Sequence, residues 1–140
     1  MIIVFVIVKT LIMKHTFYQD QIISFNHVLY SDPFHLKILN RTKRYLDVNF
    51  YNTIELKDLA LSQGFSRYQL LRLFKFYYGI TPKQYQINKR IEEAKNKLKN
   101  GFRVSESCYD VGFQSVTTFS TLFKRKTGMT PTEFKKSNFQ

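Results

Sequence analysis

The sequence is poor in the residues that carry redox chemistry and metal binding. It contains one cysteine, Cys108, and three histidines, at positions 15, 27 and 35. A single cysteine excludes an internal disulfide and fits the reducing cytoplasm, where we expect the protein to act. No histidine has a cysteine or another histidine at the spacing of a zinc site. We therefore expect neither a metal nor a cofactor.

A long hydrophobic run is also missing. The most apolar stretch, residues 1–13 (MIIVFVIVKTLIM), is interrupted at Lys9 and Thr10. A membrane-spanning helix needs about 20 apolar residues, so we expect no membrane partner. No positive charge precedes the run and no small-residue cleavage site follows it, unlike in a signal peptide. We favour a non-functional extension upstream of a start at Met13, with a β-strand or an aggregation-prone tail as the alternatives.

Acidic residues are scarce as well. Ten Asp and Glu stand against 22 Lys and Arg, which gives a net charge of +12. Residues 1–35 hold two lysines and two aspartates, whose charges cancel, so the whole excess follows residue 35. Excess lysine can serve solubility alone, but a positive charge confined to one region favours a polyanionic partner such as nucleic acid.

What is present is an internal repeat with an offset of 48 to 49 residues. The first copy reads Leu59-Ala60, Gly64-Phe65-Ser66, Leu73-Phe74-Lys75 and Gly79-Ile80-Thr81-Pro82. The second copy reads Ser107-Cys108, Gly112-Phe113-Gln114-Ser115, Leu122-Phe123-Lys124 and Gly128-Met129-Thr130-Pro131. Two copies are too few for a solenoid. Each copy instead predicts two short helices joined by a glycine turn, with Cys108 as a small core residue where the helices cross.

Helical periodicity and capping residues predict an all-α fold of about seven helices after residue 35. The expected helices are one from Leu36 that ends near Asn49–Asn52, Glu55–Gln63, one from the Ser66 cap to about Tyr78, Pro82–Lys99, Val104–Val111, Val116–Thr127 and a short one that opens at Thr130 and runs through Phe134. We expect a lead-in over 1–35 and one domain over 36–138. That domain has two helix-turn-helix subdomains, 36–80 and 103–138, joined by a long linker helix over 82–99.

The helix after Gly64 has two distinct faces. Its inward face is predicted to hold Leu70, Leu73, Phe74 and Tyr77. Its outward face is predicted to hold Arg67, Tyr68, Leu71, Arg72 and Lys75. A helix-turn-helix presents such an outward face to the major groove of DNA. Arginine at position 72 can donate two hydrogen bonds to guanine or bind a phosphate.

The matching helix of the second copy has fewer side chains that can distinguish one base from another. Phe119, Leu122 and Phe123 are predicted to point inward. Val116, Thr117, Ser120, Thr121 and Lys124 are predicted to point outward. No arginine occurs in its first two turns, so we expect poorer base discrimination with a preference for A·T pairs, through thymine methyl contacts. Lys124 lies far along the helix and is expected to meet phosphate.

These segments, together with Arg90-Ile91-x-x-Ala94 in the linker, resemble the DNA-binding region of the AraC/XylS family of bacterial transcription regulators. The resemblance covers about residues 36–138. It implies two recognition helices that enter successive major-groove segments on one face of DNA. The base-reading positions that the resemblance implies are Tyr68, Leu71 and Arg72 in the first copy, and Val116, Thr117 and Thr121 in the second.

The sequence departs from the family pattern at several positions. Leu71 and Thr121 stand where polar or arginine side chains are usual, so we expect weak base readout there. Ser107 replaces a buried aliphatic residue, which predicts a weaker second subdomain. Glu55 and Arg103 stand where Ser or Thr usually caps a helix, at an expected cost of about 1 kcal/mol each.

Many members of the family also carry an N-terminal domain that binds an effector and dimerises. Here residues 1–35 precede the DNA-binding region, and no small-molecule effector domain is expected. This interpretation leaves two possibilities, a stand-alone regulator that needs no ligand and a truncated gene product.

The sequence thus predicts a DNA-binding transcription regulator rather than an enzyme. The resemblance implies double-stranded DNA as its partner, an activator role, and RNA polymerase as a second candidate partner. One alternative is the regulatory domain of a DNA-repair methyltransferase, which would need Cys108 as an exposed nucleophile. Another is an interaction module that has lost DNA specificity and interferes with a full-length relative.

Overall fold

The computed structural model of the chain describes residues 32–139. They form seven α-helices and no strand, so the predicted all-α class is confirmed for this part of the chain. The helices are α1 Pro33–Asn49, α2 Leu56–Leu61, α3 Arg67–Tyr78, α4 Pro82–Lys99, α5 Val104–Asp110, α6 Val116–Thr127 and α7 Pro131–Ser137. The predictions for residues 1–13, including a start at Met13, lie outside the described residues.

Helix α1 begins three residues before the predicted start at Leu36. The Asp32 carboxylate accepts a hydrogen bond from the backbone N–H of Phe34 at 2.8 Å. Pro33 fits the first helical position because it lacks an N–H that would have no partner there. The pair Asp32-Pro33 is therefore a local signal for the start of α1. The spacing of apolar residues alone does not reveal this signal.

A compact unit, Ile38–Gln140, carries the rest of the fold. In its first subdomain, α2 and α3 form the helix-turn-helix around a core of Ile38, Ala60 and Leu70. Ser66 caps α3 through a reciprocal pair of hydrogen bonds with Gln69, at 3.2 and 2.9 Å. This capping box satisfies two backbone donors that the first turn of a helix leaves unpaired, which sets where α3 begins.

Helix α4 is the linker, and its bounds are the predicted ones. Thr81 and Gln84 form a second capping box in front of Pro82. The helix has 18 residues, so it extends about 27 Å. Ile91, Ala94 and Leu98 are buried in the core of the second subdomain. The linker is therefore part of that core and not a free connection.

The second subdomain is built from α5, α6 and α7 around phenylalanines. Phe119 and Phe123 are fully buried and pack against the α4 residues with Cys108. The prediction that Cys108 is a core residue is confirmed. Burial raises the pKa of its thiol, which disfavours the thiolate. This environment is the opposite of the one that a methyltransferase nucleophile needs.

Ser107, next to Cys108, is fully buried. Its hydroxyl has no hydrogen-bond partner within the described part of the chain. A buried polar group without a partner costs about 1–3 kcal/mol. The packing thus supports the expectation that this serine weakens the second subdomain.

Helices α2 and α5 lack side-chain caps, as expected. The side chains of Glu55 and Arg103 accept no hydrogen bond from the first turn. At α5 the Glu106 carboxylate accepts from the backbone N–H of Arg103 at 3.0 Å, which supplies half of a capping box. The cost of the missing caps stays a prediction.

Candidate nucleic-acid interface

The outward face of α3 is polar and open to solvent. Arg67, Tyr68, Arg72 and Lys75 are exposed, as the helical periodicity predicts. Tyr68 keeps 67% of its surface exposed, although tyrosine gains by burying its ring. On the inward side Leu70, Leu73 and Phe74 are buried, whereas Tyr77 is half-buried. Helix α3 therefore rests on the core and leaves a face that a ligand can reach.

Two residues of this face contact each other. The Arg72 guanidinium lies over the Tyr68 ring, 5.5 Å from its centroid. A cation over an aromatic face is attracted by the ring quadrupole, and the i, i+4 spacing brings the two side chains together on a helix. The contact limits the rotamers of Arg72 before any ligand binds. The i, i+4 spacing of Tyr68 and Arg72 is visible in the sequence, but the sequence analysis does not predict that the guanidinium stacks on the ring.

Leu71 differs from its predicted neighbours because it is half-buried. It lines a cleft with Leu46, Ile54, Leu56 and Pro82. Part of its surface is thus used inside the protein, between α1, α2 and the start of α4. Helical periodicity places Leu71 outward, but it cannot register a cleft made by three other segments.

The outward face of α6 is smaller than predicted. Thr117, Thr121 and Lys124 are exposed, whereas Val116 and Ser120 are half-buried. Val116 packs against the core of the second subdomain. Thr121 Oγ1 donates a hydrogen bond to the carbonyl of Thr117 at 3.0 Å. The hydroxyl proton of Thr121 is thus used within the helix, and its oxygen is left as an acceptor.

Basic side chains on α3 and α6 form no ion pair within the described residues. Within residues 32–139, ion pairs engage Lys43, Lys95 and Lys97. The basic residues of the two outward faces form none there, and neither does Arg125, which follows Lys124; the face residues are Arg67, Arg72, Lys75 and Lys124. A basic surface without ion pairs attracts a polyanion. The charge of Lys124 also acts inside the protein, since it adds to the hydrogen bonds from Thr130 that lower the pKa of Glu133.

The junction between the subdomains was not predicted as a functional feature. Arg90 is only 7% exposed, although arginine is usually found at the surface. Its side chain donates to the carbonyls of Phe50 at 2.6 Å, Asn52 at 2.9 Å and Gly112 at 2.8 Å. Burial lowers the pKa of the guanidinium. One side chain of α4 thus joins the end of α1 to the turn before α6.

Residues 32–139 contain no cluster of His, Cys, Asp and Glu that could hold a metal ion. None of the helices described there is both long and apolar enough to cross a bilayer.

Comparison with known proteins agrees with this geometry. A family model described as a helix-turn-helix domain matches residues 59–137, which is more than half of the chain. An uncharacterised helix-turn-helix-type transcriptional regulator of Pseudoalteromonas carrageenovora is 35% identical over 100 residues. The match covers 71% of this chain and 60% of that protein, so the chain spans less than two thirds of the relative.

Solved structures share the fold. A transcriptional regulator with an AraC-type DNA-binding domain from Chromobacterium violaceum matches with a TM-score of 0.68 and 27% identity, over 75% of this chain and 95% of that one. The DNA-binding domain of AdpA, solved in complex with a target DNA, matches with a TM-score of 0.66 and 23% identity, over 71% and 90%. The second likeness shows the fold alone. The repeat and the seven helices agree with the matched family model. The chain therefore belongs to the AraC-type helix-turn-helix family.

Proposed function

We propose that the protein is a sequence-specific DNA-binding transcription regulator, with α3 and α6 in successive major-groove segments. The observation that carries this proposal is the pair of outward faces at matching positions of the repeat, both basic and both without internal ion pairs in the described residues. Membership of the AraC-type family supports it. The net charge of +12 adds the non-specific attraction to phosphate that such proteins need.

The two helices take unequal parts in this proposal. Arg72 reads a guanine edge, since a guanidinium can donate two parallel hydrogen bonds to O6 and N7. Tyr68 holds that guanidinium in place. Thr117 and Thr121 offer a methyl group and an acceptor, which suit A·T pairs with less discrimination. Lys75 and Lys124, at matching positions, contact phosphate.

An activator role and a contact with RNA polymerase are further parts of the proposal, and the family resemblance supports them. Both place the protein in the bacterial cytoplasm, where a single reduced cysteine is expected. Transcription in vitro from a bound promoter tests the role. A rise in transcript supports activation, whereas a fall indicates repression.

Binding-site selection from random duplexes, followed by footprinting, tests the proposal as a whole. We expect one enriched sequence and a protected window of about 20 bp, which two helical turns of DNA provide. A shuffled duplex of the same composition is the control. No enrichment and no protected window would contradict specific binding.

A second candidate is an interaction module that interferes with a full-length relative. The engaged hydroxyl of Thr121 and the buried hydroxyl of Ser107 favour it, because both weaken the second subdomain as a reader of DNA. This candidate predicts binding to DNA without a preferred sequence. The same selection experiment therefore separates the two.

A further inference from the structure

We infer that Arg90 is a positioning residue that fixes the orientation of α3 relative to α6, and so sets the spacing between the two DNA segments that the protein reads. The part about orientation concerns the protein alone. The part about spacing rests on the proposed function.

The first observation is how many segments one guanidinium joins. Helix α1 ends at Asn49, so the carbonyls of Phe50 and Asn52 lie in the segment that follows the helix. Arg90 Nε and Nη2 donate to these two carbonyls, and Nη1 donates to the carbonyl of Gly112. The first two acceptors belong to the first subdomain, and the third belongs to the turn of the second.

The chemistry of arginine makes this a directional connection. Its donors lie in one plane at fixed angles, whereas an ammonium group is a single point with freely rotating donors. These acceptors on one planar fork, with the carbonyl of Tyr51 as a longer fourth contact at 3.4 Å, therefore fix an angle as well as a distance. No carboxylate contacts Arg90 in the described structure, so backbone carbonyl dipoles solvate its charge.

The second observation is the close approach of the backbone at the same junction. Gly112 has φ +95°, and a Cβ at this position would overlap the carbonyl group of Tyr51, 2.7 Å from its carbon. Phe50 packs against the core of the second subdomain. Gln86, one helical turn before Arg90, also donates to the carbonyls of Phe50 and Asn52, at 3.0 and 2.8 Å. The end of α1 thus packs directly against the turn that leads into α6.

A fixed junction has a consequence for DNA. Each added base pair moves one segment by about 3.4 Å and rotates it by about 34° around the duplex axis. Two recognition helices held at one angle can then engage both segments at one spacing only. Arg90→Lys keeps the positive charge but removes the fork, so α3 and α6 gain freedom relative to each other.

Spin-label distance measurements on the protein without DNA test the orientation directly. Lys75→Cys and Lys124→Cys place labels at matching positions of α3 and α6, with Cys108→Ala in the background because Ala60 occupies the matching core position. We expect one narrow distance distribution, broadened at least about twofold by Arg90→Lys, since the fork is lost. Arg44→Lys, at an exposed arginine of α1, is the matched control and should leave the width unchanged. Equal widths for Arg90 and its lysine variant would overturn the inference.

Folding of each variant is checked by far-UV circular dichroism. If Arg90→Lys does not fold, Arg90→Gln takes its place, since its amide group keeps N–H donors at this position but lacks the guanidinium fork that binds the three carbonyls. It should also broaden the distribution, whereas Gln86→Met, which removes only two amide hydrogen bonds and leaves Arg90 in place, should broaden it less. An unchanged width in Arg90→Gln would overturn the inference.

Affinity for duplexes with altered spacing tests the consequence for DNA. The selected site is compared with versions in which one base pair is added or removed between the two segments. The unmodified protein should lose about tenfold or more in affinity at the wrong spacing, comparable to a mismatched base pair. Arg90→Lys should lose about threefold or less, because its subdomains can adjust. An equal loss at all spacings indicates a role in stability alone and overturns the inference about spacing.

The two experiments fail in distinguishable ways. If the unmodified protein shows no preferred spacing, the proposed two-segment binding is wrong, while the spin-label result still decides the orientation. If the spacing preference is present and Arg90→Lys retains it in full, the proposed function stands and the role of Arg90 is wrong.

Discussion

At the scale of single residues, Arg72 and Thr121 show how the two copies have diverged. They occupy matching positions, 49 residues apart, on α3 and α6. Arg72 presents a charged fork that Tyr68 holds from one side. Thr121 presents one hydroxyl whose proton already binds the carbonyl of Thr117. The same position in the fold thus carries a charged group with several donors in the first copy and only a hydroxyl oxygen as an acceptor in the second copy.

The substitutions Arg72→Ala and Thr121→Ala should therefore differ in effect. We expect Arg72→Ala to cost about 1–3 kcal/mol of binding free energy on the selected site and to relax one base position. Thr121→Ala should cost less than about 1 kcal/mol, since at most one neutral hydrogen bond is lost. Fluorescence anisotropy on the selected site and its point variants measures both. Arg44→Ala controls for the loss of one positive charge, and equal losses at 72 and 121 would contradict the assignment of strong and weak faces.

Ser107 gives a prediction about stability. Replacing it with alanine removes a buried hydroxyl without a partner in the described structure, so Ser107→Ala should raise the free energy of unfolding by about 1 kcal/mol. Ser105→Ala, at an exposed position of the same helix, controls for the higher helix propensity of alanine. Urea unfolding followed by circular dichroism compares them. A gain no larger than that of the control indicates that the hydroxyl is satisfied by water.

At the scale of elements, a polar contact links α1 to α4 beside the apolar core. The Tyr85 hydroxyl donates to Asp47 Oδ1 at 2.6 Å, and Lys43 Nζ lies 3.0 Å from Asp47 Oδ2. Burial by itself raises the pKa of Asp47, but the hydrogen bonds from Tyr85 and Lys43 and the charge of Lys43 outweigh it, and the net pKa is lowered. The same hydrogen bond to Asp47 raises the pKa of Lys43. The ionised carboxylate is thus the form that the fold favours.

This lowered pKa predicts a loss of stability in acid. A carboxyl group whose pKa is lower in the folded state stabilises the fold above its unfolded pKa, and the contribution disappears as pH falls through the folded pKa. We expect Asp47→Asn to cost about 1 kcal/mol at pH 7, because a charged hydrogen bond is lost. The difference from the unmodified protein should shrink as pH falls below the usual aspartate pKa of about 3.9, and it should vanish below the lower pKa of the folded state.

Urea unfolding at a series of pH values measures this dependence. Asp110→Asn is the matched control, since Asp110 pairs with Lys97 at 2.8 Å but is 49% exposed and accepts no hydrogen bond from a tyrosine within the described residues. Its effect at pH 7 should be smaller. A cost for Asp47→Asn that stays constant across the pH range would contradict the role of its charge.

At the scale of the whole molecule, we expect the distribution of charge to set the affinity for DNA. The net charge of +12 follows residue 35, in the same region as α3 and α6. Each phosphate that the protein neutralises should contribute about −0.9 to the slope of log affinity against log salt concentration. Lys124→Ala should reduce the magnitude of this slope by about 1 and weaken binding to all sequences alike. Titrations between low and physiological salt measure it, and affinity that does not depend on salt would contradict DNA binding by these faces.

Much of the fold could be predicted because its signals are local. The capping boxes of α3 and α4 lie within four residues, so the starts of these helices were readable from Ser66 and Thr81 onward. The start of α1 was predicted three residues late, since an isolated Asp-Pro pair has no apolar periodicity around it. The exposure of most side chains in the candidate site could be predicted from helical periodicity in the same way. The half-burial of Leu71 and Val116 could not, because it depends on segments that are distant in the chain.

The sequence by itself determined the helices, the repeat, the family and the excess of positive charge, since each depends on residues within a few turns of one another or on composition. Only the tertiary structure decided how the two copies are joined. The carbonyls that bind Arg90 lie 22 to 40 residues from it along the chain, and carbonyls are present in every residue, so no side-chain pattern marks them. The contact of Gly112 with the Tyr51 carbonyl has the same origin, because a glycine turn looks alike in sequence whether or not another backbone packs against it.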